Sequence, residues 1–496
     1  MPLTSRTTSP RARWLRSAVL VAASAGLVAA ALPAPAPLGI GDPLFPHLGN
    51  PGYDVRSYDI HLRYGGRNTE PLAAVTRIEA VATADLERVN LDFTHGRVSS
   101  VTVDGAPADF ATSGEDLVIT PAGPVEDGDP LEIEVAHTSD PSGPADTGGW
   151  VRTGDGLAMA NQADAAHRVF PSNDHPADKA YFTFRITAPR ALTAVANGLP
   201  TGRTEHGATT TWTYRTAHPM ATELAQVSIG DTTVVHRTGP HGLPLRDVVR
   251  TADRELMEPW LKRTPGHLEW MEAQVGPYPF ETYGLLVADA DTGFELETQT
   301  LSLFERRLFA EPGYPDWYVD SIMVHELAHH WFGNSVSPRS WSDLWLNEGH
   351  ASWYEALYAD QVRKQPLERR MKAAYAASDG WRAAGGPPAA PAPPSPGQKI
   401  SLFRPVVYDG SSLVLYALRR EIGEEAFQVV QRRWVSEHRD ATASTADFTA
   451  LASRVAGRDL TGFFAGWLYA KKTPPMPGHP DWTSRAPQPA KAATPG

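Results

Sequence analysis

Two histidines and a glutamate in one short stretch, VHELAHHWFGNSV at residues 324–336, have the types and spacing to hold a metal ion and work on water. His325 and His329 are four residues apart, which on an α-helix puts both imidazoles on one face, one turn apart. Two imidazoles so placed can grip one divalent ion. Glu326 borders the same face, near enough to take a proton from water at the ion without ligating it. With 17 His in the chain, chance alone can produce this pattern, so the ligand set has to be completed elsewhere. Glu348 follows His329 by 19 residues, within SWSDLWLNEGHASWYE at 340–355. That stretch opens on Ser340 and Ser342, both good helix N-caps, and then reads as a helix with Glu348 in its first turns. A stop at Gly333, a loop and a new helix would let the carboxylate face the imidazoles. Two His and one carboxylate leave a coordination position open for water, as in catalytic rather than structural zinc sites. The chain has no Cys, so a thiolate site is excluded. Imidazole and carboxylate suit several divalent ions, of which Zn2+, one per chain, fits best.

Other polar residues nearby carry two readings. Glu355 lies seven after Glu348 on the same helical face, where it could hydrogen-bond a ligand imidazole or simply face solvent. Asp343 and Asn347 are open in the same way. His330 points about 100° away from His329, and His350 is off the Glu348 face, so both are expected to be non-ligands.

Helices must position these residues, and their spacing predicts them over 316–332, 342–363, 367–384, 411–422, 424–438 and 445–455. Before them, from about residue 53 to 235, the pattern is mostly period two. Tyr58, Ile60, Leu62 and Tyr64 alternate on one face, and RVNLDF, DLVITPAG, PLEIEVAHT and AYFTFRIT are similar short runs separated by Gly, Pro and Asp turns. Such runs predict an all-β domain. YGLLVADAD and LETQTLSLF read as further strands, and Glu295, a second carboxylate near Glu297, is expected to point away from it. The resulting organisation is an export and processing region at 1–36, a β domain at 45–237, a mostly helical domain at 238–472 and a disordered tail at 473–496. GGPPAAPAPPSPG at 385–397 is a Pro-rich loop between helices.

The N-terminal region is basic (Arg6, Arg11, Arg13, Arg16), then apolar with small residues over 17–32, which is a secretory pattern. The apolar run is short for a spanning helix, so cleavage near 30–36 and a secreted chain are expected. The alternative is tethering through an uncleaved segment. The 496 residues imply two or three domains, and 42% hydrophobic with 21% charged residues is a globular balance. A net charge of −12 argues against nucleic acid as the main partner. Oligomeric state is not legible.

HELAHHWFGNSV followed by WSDLWLNEGHASWYE resembles the aminopeptidase N family of zinc metallopeptidases, whose motif is H-E-x-x-H, 18 residues, then Glu; 18 residues separate His329 from Glu348 here. The resemblance covers about residues 58–468. It implies a saddle-like all-β N-terminal domain followed by a thermolysin-like α+β, mostly helical catalytic domain. It also implies His325, His329 and Glu348 as zinc ligands and Glu326 as general base. GFELETQT at 293–300 is similar to the family's G-x-M-E-N segment and places Glu297 where the substrate's α-amine binds, with Phe294 and Thr298 departing from the pattern. VVYDGSSLVLYALRREIG resembles the segment whose Tyr stabilises the oxyanion, here Tyr408. FPSNDHPADKAYF at 170–182 resembles a signature of the β domain, and Gln162 upstream matches a substrate-contacting Gln. The implied substrates are peptides with a free N-terminus. The chain is expected to be a short form without the family's large C-terminal helical domain. Hydrolysis of another bond such as an epoxide, endopeptidase action, and a non-catalytic peptide-binding role are the alternatives.

Overall fold

The computed structural model describes residues 38–143, 148–395 and 399–485. The expected export region 1–36, residues 396–397 of the Pro-rich loop and the last part of the tail, 486–496, lie outside the described residues.

The alternating run becomes the strand Tyr53–Arg63, with Tyr58, Ile60 and Leu62 almost fully buried. It pairs antiparallel with Leu72–Ala82 and parallel with Tyr181–Pro189. Among the described residues these belong to an eight-stranded sheet, flanked by Thr209–Arg215 and Leu199–His206 on one side and by Pro130–Ser139, Val98–Val103 and Ala106–Pro107 on the other. A second sheet joins Thr193–Ala196, Val227–Gly230, Leu157–Ala160 and Gly149–Arg152, strands that are almost wholly buried. Period-two patterning therefore does what it implies, placing one face of each strand in a shared core.

The strands Thr232–Thr238, Pro244–Arg250, Leu285–Ala288 and Ser302–Glu305 form a further sheet, antiparallel at its first pair and parallel after it. Alternation splits this sheet between two cores. Val235, Leu245, Val249, Leu285 and Val287 face the helical core, while Val234, Val248, Leu286 and Ala288 pack against the β core. Thr232–Thr238 spans the expected 237/238 boundary, so the change of domain falls a few residues earlier. Of LETQTLSLF, only the end is regular strand. Residues 294–301 are irregular and touch the sheet through one bridge, Leu296 to Leu303.

The helices observed are Asp316–Ala328, Trp345–Gln361, Leu367–Gly385, Asp409–Ile422, Glu424–Glu437 and Thr445–Ala456, within a few residues of expectation. The first ends at Ala328 rather than Phe332, with Gly333 at φ +133° turning the chain. No helix among the described residues is long and apolar enough to cross a membrane. Residues 473–485 correct the expectation of disorder from 473. Thr473 N donates to Asp379 (2.8 Å), Met476 and Trp482 are buried, and Trp482 stacks on Tyr416. Two aromatics and a Met supply enough apolar surface to fix a Pro-rich chain.

Residues 42–48 form a strap between the parts of the fold. Leu44, Phe45 and Leu48 pack with Trp341, Leu344, Val406 and Val407. Asp42 accepts hydrogen bonds from Ser340 Oγ and Trp341 N, both at 2.8 Å, and lies 3.2 Å from His175 Nε2. Burial pushes its carboxyl up, but bonds to His175, Trp341, Leu44 and Ser340 outweigh this and bring it to about 2 from 3.8. A folded value below the unfolded one means stability that is full above the unfolded value and lost as pH falls through the folded one. Asp42→Asn is therefore expected to cost about 2 kcal/mol near neutral pH. In denaturant titrations the difference from wild type should shrink as pH drops from about 4 toward 2.

Candidate active site

Because His325 and His329 sit one turn apart at the end of Asp316–Ala328, their rings lie 4.9 Å apart by centroid. Glu348 enters from the first turn of Trp345–Gln361, which packs against that helix. Its Oε2 lies 3.3 Å from His325 Nε2 and 3.4 Å from His329 Nε2. Ligand atoms of the three residues all fall within 4.8 Å of one another, and all three side chains are buried. Glu348 Oε2 is fully buried yet has no hydrogen bond of good geometry. A buried carboxylate oxygen left without a donor is costly, and here it shares a focus with two imidazole nitrogens. That arrangement fits a divalent ion.

The far sides of both rings are held. His325 Nδ1 donates to Glu355 Oε2 at 3.1 Å, and Glu355 Oε1 accepts from Arg370 at 2.6 Å. Arg370 also pairs with Asp409 at 3.1 Å. His329 Nδ1 donates to the Phe332 carbonyl at 3.2 Å. Each Nδ1 partner fixes its ring and turns Nε2 inward, the arrangement that orients histidine ligands. Burial depresses both imidazoles, but neighbouring carboxylates reverse this. Glu348 and Glu355 hold His325 well above its ordinary range, and Glu297 and Glu348 bring His329 to about 9. A site so rich in carboxylate attracts positive charge, whether protons or a metal dication.

Glu326 is buried, and burial raises its carboxyl despite the two imidazoles. It also forms a compact group with Glu297 and His329, again within 4.8 Å. Glu297 is 2% exposed; its Oε1 accepts from Gln162 Nε2 at 2.6 Å and lies 3.8 Å from His329 Nδ1. Asn334 holds the backbone here by donating to the Glu297 carbonyl at 2.7 Å. Tyr408, half-buried just before Asp409–Ile422, has its ring 5.9 Å from that of His325. Burial, then the charges of Glu348, Glu297 and Glu326, push its hydroxyl well above the usual phenol range, so it remains a proton donor.

The remaining residues separate cleanly. Asp343 is not beside the imidazoles. Its Oδ1 accepts from Thr445 N (2.8 Å) and Oγ1 (2.6 Å), tying the helix start to Thr445–Ala456, so its expected place behind a ligand is corrected. Asn347 packs against Gly333. His330 is bound by Tyr278 and Ser302, and burial holds it well below its ordinary range. His350 donates to the Leu346 carbonyl and stacks on Phe332 at 4.2 Å, away from the ligand group.

Beside the ligand group lies a cleft of 500 Å³ whose walls include His325, Glu326, Tyr408, Tyr318, Ile322 and Glu295. Glu295 is not turned away as expected: residues two apart on an extended chain share a side, and Glu295 lines the cleft beside His325 and Glu326. Glu297 lies close by, within 4.8 Å of Glu326 and His329. Arg370 and Asp409 also escaped the sequence reading; the one signal for them was the presence of Glu355 without an assigned partner.

Residues 57–224 match the Peptidase M1 N-terminal domain, and residues 261–467 match the Peptidase family M1 domain. Glutamyl aminopeptidase of Bos taurus is 26% identical over 305 residues, 59% of this chain and 32% of that protein. Aminopeptidase N of Homo sapiens is 29% identical over 294 residues, 54% of this chain and 30% of that protein. The chain thus spans about a third of the length of these curated relatives. Among solved structures, an M1 zinc metallopeptidase from Deinococcus radiodurans superposes with a TM-score of 0.76 at 25% identity, over 92% of this chain and 100% of that one. A Glu-to-Ala mutant of an M1 zinc metallopeptidase, bound to a Tyr-Ser-Ala substrate, gives 0.77 at 25% identity over 88% and 99%.

Proposed function

Since this chain belongs to the peptidase M1 family, we propose that it is a zinc-dependent aminopeptidase that removes N-terminal residues from peptides. The observation that carries the reading is the buried Glu297 carboxylate, held by Gln162 beside an inward-facing His325–His329–Glu348 group. His325, His329 and Glu348 would hold the ion. When bound, zinc supplies a Lewis acid for the scissile carbonyl and lowers the pKa of water toward ~7.

The protein's own groups do the rest. Glu297 pairs with the substrate's α-ammonium, and its burial makes an unpaired charge there costly, so a blocked N-terminus is rejected. Gln162 donates to the same carboxylate and fixes its orientation. Glu326 takes a proton from the attacking water and delivers it to the leaving amine. A raised carboxyl pKa suits both halves of that transfer. Tyr408 donates to the developing oxyanion. Arg370 and Glu355 keep the His325 ring aligned. The free-amine requirement separates this reading from an endopeptidase, and the basic then apolar N-terminal sequence supports export to an extracellular peptide pool.

The full chain loaded with zinc is expected to hydrolyse unblocked amino-acid arylamides, to lose that activity on dialysis against a chelator, and to regain it when zinc is restored. Zinc-replete protein with no turnover on any unblocked arylamide contradicts the proposal.

A further inference from the structure

Two carboxylates, two residues apart, come from one irregular segment beside the imidazole pair. Glu297 sits beside His329, with its oxygen engaged by Gln162. Glu295 shares the cleft wall with His325, Tyr318 and Ile322. The aminopeptidase reading, on which this inference rests, gives the line a direction. If the α-amine is held at Glu297 and the scissile carbonyl lies at the ligand group, the peptide beyond that bond continues past Glu326 and Tyr408 toward Glu295. The side chain of the second residue is the part of the substrate that would meet it.

Glu295 is also short of a partner. Burial and the charge of Glu305 push its carboxyl up to about 7. The nearest guanidinium, Arg307, is committed to Glu305 and to Asp291 at 3.0 Å. Among the described residues no cation forms an ion pair with Glu295. The other acids of the cleft are occupied differently: Glu355 and Asp409 both pair with Arg370, and Glu326 faces the imidazoles. Arg404, a further cation in the wall, donates to the carbonyls of Ser401 and Pro393. Glu295 is therefore an acid without an ion-pair partner, half-buried and set among the apolar surfaces of Phe294, Tyr318 and Ile322, which suit the methylene stem of a long side chain whose cation would draw it to its ionised form.

We propose that Glu295 is a specificity-determining residue that selects peptides with Lys or Arg in the second position. A charge pair formed there replaces an unpaired, partly desolvated carboxylate, which favours the basic residue over an uncharged one of similar length.

The test compares kcat/KM of the zinc-loaded full chain on the tripeptides Leu-Lys-Ala, Leu-Met-Ala and Leu-Glu-Ala. The Lys peptide is expected to exceed the Met peptide by roughly tenfold, mainly through KM, with the Glu peptide poorest. Glu295→Gln should bring the Lys-to-Met ratio close to one. Glu295→Lys should make the Glu peptide the better substrate, a reversal that a merely structural role would not produce. Zinc content and melting temperature identify a variant that fails to fold. No basic preference in the wild type, or a preference that survives Glu295→Gln, overturns the proposal while leaving an active aminopeptidase. Absence of any leucyl-arylamide hydrolysis by zinc-loaded wild type overturns the aminopeptidase reading itself, and this inference with it.

Discussion

Glu326→Gln is expected to lower kcat on an unblocked leucyl arylamide by roughly a thousandfold while zinc stays at one per chain. The substitution keeps the shape of the side chain and removes its ability to carry a proton. Glu326 lies next to His325 in sequence but is not part of the His325–His329–Glu348 group, so metal content should not change. The carboxyl is buried, and that burial raises it toward the range in which it can both accept a proton from water and return it to an amine. KM should change much less than kcat, because the lost interaction belongs to the proton transfers rather than to binding. Steady-state kinetics paired with metal analysis of the same sample checks both halves. Unchanged turnover would remove Glu326 from the chemistry, and lost zinc would make it a ligand.

The second large effect concerns recognition. Glu297→Ala is expected to reduce kcat/KM on unblocked substrates by roughly a hundredfold, the scale of removing one partner from a buried charge pair. Glu297 is 2% exposed and already hydrogen-bonded by Gln162, so an arriving ammonium meets a carboxylate that is positioned in advance. N-blocked substrates gain nothing from that carboxylate, and their slow rates should be nearly unaffected. An equal loss on blocked and unblocked arylamides would mean that Glu297 supports His329, 3.8 Å away, rather than the substrate amine.

Regular periodicity made much of this legible in the sequence. Tyr58, Ile60 and Leu62 are buried as their alternation requires, and the helices carrying His325 and Glu348 start and stop within a few residues of expectation. Helical spacing converts sequence distance into direction for His325 and His329, and Glu348, reached across a loop, comes within 4.8 Å of both. Glu295 was expected to turn away from Glu297, but residues two apart on an extended chain share a side, and both carboxylates lie near Glu326 and the imidazoles. What else escaped has no period. Arg370 reaches Glu355 from another helix and is itself paired with Asp409, and long-range ion pairs leave no local trace. Asp343 sits beside the motif in sequence, yet a helix start needs its backbone donors and neighbours satisfied, and that demand draws it to Thr445. The tail from 473 reads as disordered by its prolines, but Met476 and Trp482 find an apolar surface composed from distant helices.

Central to the account is that a free α-amine, recognised by Glu297, decides which peptides are cleaved. The most direct measurement is the ratio of kcat/KM for leucyl arylamide to that for its N-acetylated form, taken with zinc-replete full-length protein. The account predicts that the free form is cleaved about a hundredfold faster or more, and that Glu297→Ala collapses the ratio. Equal cleavage of the two forms by the wild type would contradict it.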